Sequence, residues 1–309
     1  MSSGKPTRDA FGDGIVELAA SNPNIFVIDC DISKSMKTTE FAKKYPDRHI
    51  NVGIAEGNAA TLAAGLATMG KTAFLSTYAV FGSMRALEQI RTSACYSKLN
   101  VKVACSHGGL TPANDGVTHQ GIEDCGIMRT IPNMTVIMGS DYVSTKKLLA
   151  KVVELDGPCY IRFTRDAFPI YYSESEEFEI GKGKLLKQGK DITLISFGEM
   201  LHETLPAAEE LEKAGVSVEV IDIHTLKPID RELIANSIAK TGKVVTVEDH
   251  NILNGLGSAV AEIIAETGNG KMRRIGLRDT FAESGQYHLL LEKYHMDRKA
   301  IVASAKELL

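Results

Sequence analysis

Several things are scarce in this chain, and each scarcity closes a class of function. Basic excess is missing: 35 lysines and arginines stand against 39 aspartates and glutamates, so the net charge of −4 offers nothing for nucleic acid. Long apolar runs are missing too. The start, MSSGKPTRDAF, lacks the hydrophobic stretch of a signal peptide, and no later run approaches a transmembrane helix. Neither a membrane nor secretion is expected. The cysteines Cys30, Cys95, Cys105, Cys125 and Cys159 are odd in number, widely spaced and never in a CxxC pair. Reduced thiols and a cytoplasmic location follow, with no disulfide framework and no metal site on this chain.

Charge is also scarce locally. The stretch NVGIAEGNAATLAAGLATMG, residues 51–70, carries only Glu56. Ala59 to Met69 is small and apolar almost all round, which predicts a segment packed on every side, with Glu56 at its entrance. Burial among glycine and alanine favours the neutral form of a carboxyl. The segment alone fits an ion-paired or capping glutamate at least as well.

Alternating β-branched runs and helical patterns are what the chain has in plenty. NIFVIDCDI, TAFLSTYA, VKVACSH, MTVIMGS and CYIRFT have the rhythm of a parallel sheet with crossover helices. Residues 170–191 are charged and free of long apolar runs, and read as a connection that carries a strand or two. A second series follows in DITLISFGE, VSVEVIDI, VVTVEDH and a late strand near RRIGL. The 309 residues exceed the usual single core. The expected architecture is therefore α/β, with two doubly wound domains at 1–170 and 191–309 joined by 171–190.

Parallel sheets place functional loops at the carboxyl ends of their strands. In the first domain those ends read DCDISKS, STYAVF, SHGGLTPANDGVTHQ and FTRDA. His107, Asp115, His119 and Arg165 thus gather in groups suited to anions and sugars. Three other motifs read as structural. FGDG at 11–14 lacks a preceding strand, so Asp13 is expected at a helix start or on the surface. GLGSAV at 255–260 is a tight turn, not a dinucleotide fingerprint, and Glu248, Asp249 and His250 are expected to cap or to join an interface.

The order GIAEGNAATLAAGLA, FLSTYAVFGSMRALEQIR, SHGGLTPANDGVTHQGIEDCGIMRTIPN, YIRFTRDAFPI, ISFGEMLHETLPAAEELEKAG and VVTVEDHNILNGLGSA closely resembles transketolase. The resemblance covers the pyrimidine-binding and C-terminal domains. The chain has no room for the further domain that, in the family, binds the diphosphate of thiamine diphosphate and its Mg2+ or Ca2+. The resemblance therefore implies one subunit of a split transketolase, with a separate N-terminal-half partner sharing the cofactor and holding the metal in an α2β2 heterotetramer.

In that family an acid hydrogen-bonds the far ring nitrogen of the cofactor's aminopyrimidine, helping it act as the base on the thiazolium carbon. The resemblance assigns this role to Glu56. It places Tyr78 as the stacking aromatic, where the family usually has phenylalanine, with Phe81 and Phe74 as neighbours, and Asp31 beside the cofactor across the subunit boundary. Arg8, Ser35, His107 and Arg165 match the residues that grip the substrate's terminal phosphate. Asp115 matches the reader of the C2 hydroxyl, and His119 the histidine near the C1 hydroxyl. The implied reaction moves a two-carbon ketol unit from a ketose phosphate to an aldose phosphate, with sugar sulfonates as an allied substrate class. The rival readings are the beta subunit of a 2-oxo acid dehydrogenase and a noncatalytic sugar-phosphate-binding regulatory protein.

Overall fold

Parallel strands covered on both faces are mostly apolar, and the runs Val101–Ser106 and Thr72–Tyr78 are buried along almost their whole length. They form the centre of a seven-stranded sheet in a computed structural model that describes residues 4–309. Its order is Thr225–Lys227, Thr135–Met138, Cys159–Arg162, Val101–Ser106, Thr72–Tyr78, Ile25–Asp29, His49–Asn51. Every neighbouring pair is parallel except the first, where Thr225–Lys227 lies antiparallel to Thr135–Met138. The short, half-buried strand His49–Asn51 has no periodic signal in the sequence.

A second, five-stranded sheet has the order Lys271–Leu277, Lys243–Asn251, Ile192–Phe197, Val218–Ile223, Lys184–Lys187. Four of its strands are parallel and Lys184–Lys187 closes one edge antiparallel. The two doubly wound α/β units are thus the ones the patterning predicts. One strand crosses the expected boundary, however: Thr225–Lys227 comes from the second series yet pairs with the first sheet. The connection carries its single strand at Lys184–Lys187. Upstream of it, Tyr171 and Tyr172 donate their backbone N–H groups to Asp141 at 2.7 and 2.9 Å, and the Tyr172 hydroxyl donates to Asp222 at 2.7 Å.

Three local expectations meet the structure differently. Helix Glu56–Thr68 starts at the lone acid as expected, but it is not packed all round. Asn58, Thr61, Gly65 and Met69 are exposed, because the core is met by the face that carries Ala59, Ala60, Ala63, Ala64 and Ala67, with Leu62 and Leu66 partly buried against it. Asp13 lies inside helix Thr7–Ser21 and not at its start, but it is exposed, so the surface reading holds, and it accepts a hydrogen bond from the Tyr142 hydroxyl at 2.7 Å. Phe74 is fully buried in the core, 6.0 Å from the Phe11 ring, and so belongs to packing.

The capping expectation for Glu248, Asp249 and His250 is met. Glu248 accepts from the N–H groups of Leu256 and Gly257, both at 2.7 Å, at the start of helix Leu256–Thr267. A side chain at Gly255 or Gly257 would strike that carboxylate. Asp249 accepts from Leu110 N–H at 2.9 Å, and His250 Nε2 accepts from Gly126 N–H at 3.1 Å. All five cysteines are unpaired and buried.

Candidate active site

Glu56 is the first residue of its helix, where a negative side chain is favoured by the exposed N–H groups of the first turn. It is 2% exposed. Its Oε2 accepts from Arg85 Nη1 at 2.8 Å, and Thr77 Oγ1 approaches Oε1 at 3.5 Å. Glycine and alanine do keep water away, but the carboxyl is ion-paired, the alternative that the isolated segment favours. Arg85 is a site residue that the sequence reading misses. Its signal is present: Phe81 and Arg85 are four apart, and the guanidinium lies 4.4 Å from the Phe81 ring centroid. The segment Phe81–Arg85 is π-helical, a wide turn often found at functional positions.

Four rings collect around Phe81, the ring that Arg85 covers. Tyr78, at the carboxyl end of its strand, lies 4.0 Å from His107, 5.7 Å from His119 and 6.0 Å from Phe81, between ring centroids. Phe81 and His119 meet edge on at 5.8 Å. Tyr78, Phe81, His107 and His119 therefore share one patch. Asp31 joins none of these contacts: it is exposed, holds φ at 65°, and accepts from Asn51 Nδ2 at 3.1 Å.

The long loop after Val101–Ser106 carries His107, Asp115 and His119. His107 sits at φ 64° and Ala113 at φ 56°, left-handed conformations that side-chain-bearing residues hold only under constraint. The constraint comes from the second half of the chain. Asp249 grips Leu110, Gln120 Nε2 donates to the Glu283 carbonyl at 3.1 Å, and a Cβ at Gly108 or Gly109 would overlap Arg162 or Asp249.

His107 is buried, and that burial, with Arg8, Arg165 and His119 nearby, pushes its pKa down to about 3. It is a neutral imidazole at physiological pH, with Nδ1 2.7 Å from Ser106 Oγ and Nε2 4.0 Å from Asp115 Oδ2. Arg165 Nη1 donates to the Pro112 carbonyl at 2.6 Å and lies 3.7 Å from Asp115. Arg8, on helix Thr7–Ser21, donates through Nη1 to the Ser35 carbonyl at 3.4 Å. Its Nε is buried without a partner among the described residues. The structure thus gives two groups of contacts, Arg8 with Ser35 and His107 with Asp115 and Arg165, and Arg8 and Arg165 line one cavity.

A doubly wound sheet with a carboxylate, an aromatic patch and two arginines along its carboxyl edge defines a ligand-handling α/β protein. Comparison gives the particular family. Residues 3–170 match the transketolase pyrimidine binding domain and residues 181–301 the transketolase C-terminal domain. The chain belongs to the transketolase family. It is 46% identical over 306 residues to a putative transketolase C-terminal section of Methanocaldococcus jannaschii, covering 98% of this chain and 96% of that protein. A 6-deoxy-6-sulfo-D-fructose transketolase subunit of a Clostridium species is 40% identical, covering 97% and 93% respectively. Among solved structures, a split gene transketolase, described as an inactive beta4 tetramer, matches with a TM-score of 0.93 at 46% identity over 99% of each chain. No helix among the described residues is long and apolar enough to cross a membrane.

Proposed function

We propose that this chain is one subunit of a thiamine diphosphate-dependent transketolase that moves a two-carbon ketol unit from a ketose phosphate to an aldose phosphate. The observation that carries the reading is Glu56, a buried carboxylate at a helix start, linked through Arg85 to the Phe81 ring of a patch made by Tyr78, Phe81, His107 and His119. An aminopyrimidine fits such a place: it needs one carboxyl for a ring nitrogen and one flat aromatic to lie against. When bound, thiamine diphosphate supplies the carbon nucleophile that carries the two-carbon unit. Glu56 holds a proton at the far ring nitrogen, exchanging its Arg85 contact for the ring. Tyr78 and Phe81 orient the ring.

Arg8, Ser35, His107 and Arg165 hold the substrate's oxyanion, because guanidiniums present paired donors to a tetrahedral group. Asp115 reads the C2 hydroxyl. His119, beside Phe81, donates to oxygen where charge develops near C1. Asp31, exposed at its strand end, meets the cofactor from across a subunit boundary.

The diphosphate and its Mg2+ or Ca2+ belong to an N-terminal-half partner in an α2β2 assembly. Two observations support a partner. The exposed side of helix Glu56–Thr68 is uncharged, flanked by Ile54 at 75% and Met69 at 72% exposure, an unusual surface for a protein with nothing against it. The relatives of matching length are themselves described as a section and a subunit. The buried, unpaired cysteines support a cytoplasmic site of action.

The test is reconstitution. With thiamine diphosphate and magnesium the purified chain shows no ketol transfer, and addition of the N-terminal-half subunit restores it; transfer by the chain alone overturns the split reading. In the complex, Glu56→Ala lowers turnover by about 10²- to 10⁴-fold. Normal turnover removes that assignment, and decarboxylation of a 2-oxo acid by the wild-type complex replaces the substrate class.

A further inference from the structure

A cavity of about 570 Å³ opens beside the two arginines, and both halves of the chain line it. Arg8, Arg165 and Asp166 contribute from the first half, Gln286 and His288 from the second. Two guanidiniums make an anion site only if their charge is free, and here that of Arg165 is partly matched. Asp115 lies 3.7 Å from Arg165, and Asp166 lines the same cavity. His107 is neutral. An oxyanion seated between Arg8 and Arg165 thus needs donors beyond the guanidiniums, and Arg8 Nε, buried and unpartnered among the described residues, marks an unfilled polar position at that end.

Beyond Ser35 and His107, the cavity offers donors on Asn114 from the first half and on Gln286 and His288 from the second. The latter two are held in place through the residue between them. Tyr287 is buried, with its ring 5.5 Å from Phe168 and 5.9 Å from His202. Phe168 in turn follows Arg165 by three residues and pairs with Lys5 in a two-residue ladder that leads into the helix of Arg8. The same aromatic contact therefore sets both the arginines and the Gln286–His288 pair.

We propose that Gln286 and His288 complete the anion-binding end of the substrate site, so that the C-terminal half reads the terminal phosphate or sulfonate of the sugar. This rests on the assignment of Arg8 and Arg165 to the oxyanion. Gln286 offers an amide N–H pair. His288 offers a ring N–H, and a positive charge once protonated, which adds to the attraction for a tetrahedral oxyanion.

Histidine proton resonances of the full chain, titrated with inorganic phosphate and separately with methanesulfonate, test this. The His288 signal, assigned by its loss in His288→Gln, shifts on titration. His288→Gln and Gln286→Ala each weaken anion binding by about three- to tenfold, and Arg165→Ala by more. Both residues are exposed, so the variants keep the wild-type melting temperature. Tighter phosphate binding assigns a phosphate terminus, tighter methanesulfonate binding a sulfonate one; binding of neither overturns the proposal. If Arg165→Ala weakens binding while His288→Gln and Gln286→Ala do not, the C-terminal contribution falls and the arginine assignment stands. If Arg165→Ala also leaves it unchanged, both fall.

Discussion

Arg162, Asp124, Asp249 and Glu199, at the junction of the two halves, are each 1% exposed or less, and Glu56 is almost as deeply buried at 2%. The two sets of charges are nonetheless built differently. At the junction the charges lean on one another out of reach of solvent: Arg162 Nη2 donates to the Asp249 carbonyl at 2.7 Å, its Nε lies 3.4 Å from Asp124 without a hydrogen bond, and Tyr160 donates to Asp124. Burial raises the pKa of both Glu199 and Asp249; repulsion from Asp249 adds to the rise at Glu199, while hydrogen bonding from Glu199 pulls Asp249 back down, which leaves the proton with Glu199. Glu56 instead leans on Arg85, whose side chain is 49% exposed. A closed network fixes geometry; a pair with one end in solvent can change partners at low cost.

The largest test of that contrast is Arg162→Met. It keeps most of the side-chain volume but strands the Asp124 carboxylate, and it should cost about 3–5 kcal/mol in urea unfolding. Adding Asp124→Asn should recover part of the loss. A cost below about 1 kcal/mol would erase the distinction between the two sets.

A second test uses pH. Asp222, at the same junction, accepts from Ser140 at 2.7 Å and from Tyr172, and burial pushes its pKa up to about 7. The folded state then holds a proton that the unfolded chain has released above about pH 4, so this group's contribution falls as pH rises from about 4 to 7. His107 has the opposite sign. Folded it stays neutral down to about 3, while the unfolded ring protonates below about 6.5, so its contribution is lost as pH falls through that window. Each slope is at most about 1.4 kcal/mol per pH unit. Asp222→Asn should flatten the first and His107→Asn the second in melting curves taken from pH 4 to 8. Unchanged slopes would mean that water reaches these groups.

The smallest expected effect is that of Tyr78→Phe. The ring contacts with His107, His119 and Phe81 persist without the hydroxyl, so stability should stay within about 0.5 kcal/mol. Turnover of the reconstituted complex should stay within about threefold; a tenfold loss would give the hydroxyl a part in the chemistry.

The strands that read clearly in the sequence are those dense in β-branched and apolar residues, such as Ile25–Asp29 and Ile192–Phe197, because a parallel strand covered on both faces leaves few positions for polar side chains. Thr225–Lys227 is not legible, since three residues carry no period and its partner strand lies far earlier in the chain. The site divides along the same line. His107, Asp115 and His119 share one loop and are visible as a group. Arg85, Gln286 and His288 are not, because each matters only through a neighbour distant in sequence: Glu56 for the first, the arginine cavity for the others. The expected all-round burial of helix Glu56–Thr68 overshoots because alanine-rich sequence signals lack of water without saying which molecule excludes it.

The strand that crosses between sheets also governs how the protein can be cut. A fragment ending near residue 190 would keep every residue matched to the pyrimidine binding domain and still leave Thr135–Met138 as a bare edge. Its Thr135, Val136 and Ile137 would then present unpaired backbone groups on a β-branched template, which invites pairing with other chains. Lys227 would be lost as well, with its two ammonium contacts to the carbonyls of Arg129 and Ile131. The smallest portable piece of this molecule is therefore the two halves together, and any transplant, fusion or shuffling of subunits has to move them as one.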